Sequence, residues 1–280
     1  MENNQAFLEQ VQGQLGEILK PYQRQLNRQQ KMAEFVNSCI RCAARDDFIQ
    51  LDELLKGKMV EEVSREPGLE GCGEILDALR TYADEKVERY RIRFIEDLAG
   101  RAREAGLPFE MDFPRFNSLK GIEGSVDFAR RTATINKKTL NSIDPRRIVS
   151  LLLKEKRELY DRPLDPQSFI DGLFEVYGVI LKKEHWPPGH SVPIHQFYFE
   201  YVMSLQSKTF FQDMAKTRFR GYSVDCFSVD LWRYFQAGIG GTSDGHALQL
   251  RSGRSNSLWL LDSDGQKRQI TGISFQKVTP

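Results

Sequence analysis

The stretch from Asp144 to Lys183, DPRRIVSLLLKEKRELYDRPLDPQSFIDGLFEVYGVILKK, predicts two consecutive helices with a tight joint between them. Asp144-Pro145 and Asp165-Pro166 open the two helices in the same way. An Asp side chain accepts hydrogen bonds from the first free N–H groups of a helix. Proline at the first helical position gives up only an N–H that would be unpaired there. Ile148, Leu152, Leu159 and Tyr160 carry the apolar period of the first helix. Phe169, Leu173, Phe174, Tyr177, Ile180 and Leu181 carry that of the second. Pro163 lies between them; it has no donor and clashes in a helix interior, so the first helix ends before it.

At ~100° per residue, Arg147, Ser150, Lys154 and Arg157 share one side of the first helix, and Ile148, Leu152 and Leu159 share the other. Two arrangements fit: a helix–turn–helix, or a helical hairpin with a solvated basic face. In a helix–turn–helix the second helix does the reading. Here the second helix is apolar and lightly charged, which argues for the hairpin.

The first hundred residues read as helix. Leu8, Val11, Leu15, Ile18, Tyr22 and Leu26 step by three or four, the spacing of a packed seam. Pro21 predicts a kink or break. A second helix is expected from about Gln23 to Arg45, with Met32, Phe35, Val36, Cys39 and Ile40 inward. Asp46 and Asp47 suit a new cap, and Phe48, Leu51, Leu54 and Leu55 continue the apolar pattern to Gly57. Residues 64–73 are loop by composition. From Glu74 to Ala105, Ile75, Leu79, Tyr82, Val87, Tyr90, Phe94, Leu98 and Ala102 keep near one face. The expectation is a helical arm over 1–106, an antiparallel hairpin or bundle of coiled-coil type. The heptads are not strict over enough repeats to specify a coiled-coil dimer.

A mixed α+β part is expected over 107–280, with a sub-boundary near 184–193. Residues 107–116 alternate but are broken by proline. Gly124 to Asn136 reads as a β-hairpin with Arg130 and Arg131 near its tip. Ile194 to Phe219 reads as one aromatic helix, and Asp225–Gln236 as a shorter one. Gly238 to Gly245 is rich in glycine, lacks the Gly-Lys-Ser/Thr ending of a P-loop, and reads as a flexible connector. Ala247–Leu250, Ser257–Leu261 and Gln269–Phe275 read as three strands, with a turn at Asp262–Gly265. A helix followed by such strands is winged-helix-like in shape. The fold class is therefore α+β, predominantly helical.

Hydrophobic residues at 40% and charged residues at 28% are ordinary for a globular chain, and a net charge of +1 exerts no global pull on polyanions. The charge is uneven: residues 1–106 carry 16 Lys/Arg against 20 Asp/Glu, and residues 115–162 carry 12 against 6. No apolar run is long enough for a membrane span, and no apolar signal core follows Met1–Gln5, so a cytoplasmic protein without a membrane partner is expected.

Cys39 and Cys42 form a C-x-x-C with no second ligand pair at zinc-finger distance, and both suit a helix core. His185, His190 and His195 are evenly spaced but match no metal motif. Asp225, Asp230, Asp262 and Asp264 are the carboxylates that could hold Mg²⁺, although Asp262 and Asp264 suit a turn better. No nucleophile elbow, H-E-x-x-H or kinase signature is present, so no metal, cofactor or catalytic residue is assigned. The leading expectation is a non-catalytic assembly or adaptor protein that meets another protein, or a second copy, through residues 1–106. The alternative is nucleic-acid binding through Arg130, Arg131, Arg147, Lys154 and Arg157. A third is an enzyme of unrecognised type in the C-terminal part.

Overall fold

A computed structural model describes the backbone of residues 2–277 and the side chains of residues 7–277; the Met1–Gln5 side chains lie outside the described residues. The chain is mixed α+β and mainly helical, with nine helices and two sheets among the described residues. No helix among them is long and apolar enough to cross a membrane. Contacts divide the chain into two compact units, Met1–Asp97 with Asp127–Arg131, and Leu98–Val126 with Thr132–Pro280.

In the first unit, α1 runs from Glu2 to Ala44 without a break. The break expected at Pro21 does not occur. Proline removes one backbone hydrogen bond, but the surface here is exposed, so water can satisfy the freed carbonyl. Asp47 then caps α2 (Phe48–Leu55), accepting from the Gln50 amide at 3.2 Å. A short α3 (Met59–Ser64), which carries too few residues to show a period, precedes the 65–71 loop. α4 spans Cys72–Glu104. The core joins Met32, Phe35 and Cys39 of α1 to Leu51, Leu55, Val60, Val63, Leu76 and Ala83. Phe94, Leu98 and Ala102 of α4 are buried as expected, but in its first turns the buried side is rotated from the expected one: Leu76 is buried, whereas Ile75 and Tyr82 are exposed. Tyr82 instead donates to Asp46 at 2.6 Å. An aromatic cluster completes the unit, with Phe128 edge-on to Tyr90 and Phe94, both at 5.2 Å.

The second unit holds an antiparallel sheet in sequential order: β1 (Glu110–Asp112), β2 (Arg115–Asn117), β3 (Glu123–Asp127), β4 (Thr132–Ile135) and β5 (Lys138–Leu140). The β3–β4 hairpin was legible, while β5 was not. Phe116 lies directly over Gly124, where an added Cβ would come within 2.3 Å of its ring. The helix pair forms as expected: α5 (Pro145–Leu159) and α6 (Pro166–Glu184), capped by Asp144 and Asp165. α6 buries Ile170, Leu173, Tyr177 and Ile180 in the main core, so it is a central post and has no apolar-free face for reading a groove.

The aromatic segment after α6 differs from expectation. It is not one helix but α7 (Ile194–Ser204), α8 (Lys208–Asp213) and a 3-10 turn at Lys216–Arg218. Ser207 restarts the chain as the cap of α8, accepting from the Phe210 amide at 3.2 Å. Buried Gln206 holds the far end of the excursion, bonding the Arg220 amide at 2.8 Å and its carbonyl at 3.0 Å. α9 (Val224–Gln236) follows. The second sheet is built on β9 (Lys267–Lys277), paired antiparallel with β6 (Val192–Pro193), β7 (His246–Ser252) and β8 (Leu258–Leu261). It closes over Phe197, Phe227 and Leu231.

Candidate functional site

The least compensated surface in the molecule is on α1. Phe7, Leu8, Leu15, Ile18, Leu19, Tyr22 and Leu26 are each more than half exposed, Ile18 by 64% and Tyr22 by 68%. The spacing read as a packed seam is real, but among the described residues of its own unit the row over residues 7–26 stays exposed. At ~100° per residue these side chains, with Val11, fall within an arc of roughly 120°. The same arc continues through Gln29, Ala33, Val36 and Ile40. Ile40, expected inward, is 59% exposed. α1 turns an adjoining side, Met32, Phe35 and Cys39, to the core, and Val36 of the arc packs partly against that core, so the uncovered stretch is the part before residue 30, with Ala33 and Ile40 exposed beyond it. Where the arc passes Ala33 and Val36, Leu69 helps line an open groove of about 390 Å³.

The edges of the arc are neutral: Gln12 and Gln23 border one side, and Gln14 and Gln25 the other. The charged residues Glu9, Glu17, Lys20, Arg24, Arg28 and Lys31 lie on the opposite side of the helix. Glu17 pairs with Lys20, and Arg28 reaches Glu62 and Glu66 at 3.9 and 3.7 Å.

Of the five basic residues proposed for nucleic acid, Arg130 and Arg131 belong to the first unit and Arg147, Lys154 and Arg157 to the second. Arg131 grips both Asp47 oxygens at 2.9 and 3.0 Å. Arg130, in the same turn, lies 3.7 Å from Asp127. Arg147, Lys154 and Arg157 stand together on the exposed side of α5, as the helical spacing indicated. Arg146 extends that side; none of the four has an ion pair among the described residues.

Other candidate groups are tied into the structure. Asp230 is buried and bonded by Arg162 at 3.0 and 3.1 Å and by the Tyr222 hydroxyl at 2.7 Å. Asp225 faces Lys137 at 3.5 Å, and Asp262 accepts from the Asp264 and Gln266 amides in its turn. A cleft of about 460 Å³ lies beside exposed Trp259, but its two lysines are spent on carboxylates, Lys137 on Asp225 and Lys267 on Glu123.

The glycine-rich segment is not a free connector. The Ser243 amide and hydroxyl bind Asp171 at 2.7 and 2.6 Å, and these bonds hold the Asp171 carboxyl below its usual range. His185 is the C-cap of α6 with φ of 57°, His190 lies tilted against Trp186 with ring centroids 4.4 Å apart, His195 stands in the first turn of α7, and all three are exposed. Cys39 and Cys42 are buried thiols. Burial, with Cys42 and Cys72 nearby, pushes the Cys39 thiol up to about 11. Among the described residues no group of three or more His, Cys, Asp or Glu is placed to hold a metal ion.

Sequence reasoning found the α1 spacing and the basic side of α5. It missed that α1 is uncovered, because exposure depends on what the remaining chain reaches. Compared with known protein families, curated proteins and solved structures, the chain matches none of them.

Proposed function

We propose that the protein is a non-catalytic assembly or adaptor protein whose α1 face is its docking surface. The supporting observation is the run of seven large apolar side chains over residues 7–26, each more than half exposed. Single exposed apolar residues are ordinary, but a contiguous patch of several hundred Å² marks an interaction site. Full burial of a Leu or Phe side chain stabilises by ~1.5–3 kcal/mol. The face therefore has a large unrealised gain that a helical partner can collect. The four cysteines, all free thiols, suit a reducing cytoplasm.

The test is oxidative footprinting of Leu15, Tyr22 and Leu26 in the full chain within a cell extract, against the same chain unfolded in denaturant. Strong protection of these side chains is expected. Labelling at the unfolded level would end the proposal.

A second reading has its own support. Arg146, Arg147, Lys154 and Arg157 are exposed cations without ion pairs on one helix side, a footprint suited to a polyanionic backbone. Binding of duplex DNA or RNA would then weaken with salt, with a log–log slope of about −0.9 per phosphate neutralised on DNA. Charge reversal at Arg147, Lys154 and Arg157 is expected to abolish that binding. Unchanged binding in the triple variant would remove this reading.

A further inference from the structure

We infer that the occupant of the α1 face is a second copy of this chain. The inference rests on the docking reading above and names its partner. The first consideration is charge. The apolar arc over residues 7–26 bears no charge; Glu9 and Glu17, like Lys20 and Arg24, lie on the opposite side of α1. An anionic bilayer or a nucleic acid finds no cation on that face to pair with. A protein with an apolar helical stripe needs none.

The second consideration is self-complementarity. When two copies of one face meet, the borders of one copy confront borders of the other. Like charges at such borders oppose pairing, and they set partner choice in coiled coils. Here the borders are Gln12, Gln14, Gln23 and Gln25, which are uncharged and can both donate and accept across the joint. Over residues 7–31 the charges of α1 lie on the far side of the helix, while Arg41, beyond that stretch, falls at the azimuth of Gln23.

The third consideration is period. Leu8, Leu15 and Tyr22 recur every seven residues, and Val11 and Ile18 do the same. Two helices register along such a seam only when both carry the same repeat; here it runs from Leu8 to Tyr22 and passes into Gln25 and Gln29, the length of a short bundle contact rather than an extended coiled coil. A second copy meets this condition automatically, through an isologous contact. Leu19 and Leu26 lie beside the seam and widen it beyond a strict two-position stripe, toward the width used in helical bundles.

The fourth consideration is size. From Phe7 to Ile40 the face is ~50 Å long at 1.5 Å per residue, and about one helix diameter of ~10 Å wide. That is on the order of 500 Å², approaching the ~800 Å² per partner of a stable interface.

The experiment is light scattering on the full-length chain through a dilution series, with the variant carrying Leu15→Glu and Ile18→Glu. The wild type is expected at a whole multiple of 32.3 kDa when concentrated, falling toward 32.3 kDa on dilution. The double variant is expected to weaken self-association by ~100-fold or more, as loss of central apolar anchors does. Far-UV circular dichroism of its dilute form should match the dilute wild type. Leu26→Gln is a milder second variant on the same face, expected to weaken association less, and Arg24→Ser on the opposite side should leave the mass unchanged.

A wild type of 32.3 kDa at every concentration would overturn the inference. So would a multimer indifferent to the α1 substitutions. Footprinting separates the two levels: a monomeric chain whose α1 is protected in extract loses only the second copy, and one whose α1 is labelled loses the docking reading as well.

Discussion

The guanidinium of Arg131 holds both carboxylate oxygens of Asp47, 84 residues earlier in the chain, at 3.0 and 2.9 Å. Asp47 is also the N-cap of α2, so one carboxylate starts a helix and anchors a hairpin turn. Arg131 sits there with φ of 53°, in the left-handed region. Both side chains are partly exposed and a single nitrogen, Nη2, makes both bonds, which limits the pair to ~0.5–1 kcal/mol.

Arg131→Ala should therefore lower stability by about 1 kcal/mol in urea unfolding, since it loses the pair and keeps the left-handed backbone. Arg131→Gly should be nearer to wild type, because glycine adopts that backbone without the Cβ clash. An alanine variant as stable as wild type would remove the pair from the account.

Asp230 presents the opposite case, a carboxylate 2% exposed that joins the end of α5 to α9 through Arg162 and Tyr222. Burial, reinforced by the adjacent Asp230 charge, pushes the Tyr222 hydroxyl well above its usual range, so it remains the donor at any ordinary pH. Asp230→Ala leaves Arg162 without its partner and should cost ~3–5 kcal/mol. The pair Asp230→Leu with Arg162→Met should cost clearly less than Asp230→Ala alone. Denaturant midpoints of the three proteins check this, and a double variant worse than the single would contradict it.

These two ion pairs also show where sequence stops being legible. The caps at Asp144 and Asp165 could be read because a cap concerns residues within one turn. The same holds for the turn at Asp262–Gly265 and for the basic side of α5. Arg131 could be read only as a cation at a hairpin tip, since its partner is remote in sequence. The Gly238–Gly245 stretch looked loose for the same reason: its anchor, Asp171, lies on α6. The aromatic run after Pro193 kept a helical spacing past Ser207, and only the cap at Ser207 reveals the break. Pro21 was read as a kink or break from its intrinsic preference, and the helix runs through it unbroken. Leu76 and Ile75 are adjacent and equally apolar, so the sequence left the buried side of α4 open by one residue, a rotation of ~100°.

The thiol of Cys39 makes stability depend on alkaline pH. Its folded value is raised to about 11 from an ordinary 9.0, first by burial and then by Cys42 and Cys72. In the unfolded chain the thiol ionises first, so the folded state binds more protons between these values. This contribution is fully present below pH 9.0 and is lost as pH rises toward about 11. Urea midpoints measured across that window should fall more steeply for wild type than for Cys39→Ala. Equal slopes would contradict the assignment.

The claim that α1 is a covered docking face is tested most directly by amide hydrogen exchange along that helix. An isolated helical stretch of ~20 residues is marginal in water, so its amides exchange fast unless packing holds it. The account predicts slow exchange over residues 7–26 in concentrated protein, quickening on dilution or with Leu15→Glu and Ile18→Glu, while residues 32–44 stay protected throughout. Fast exchange over residues 7–26 at every concentration, with extract added or without it, would contradict it.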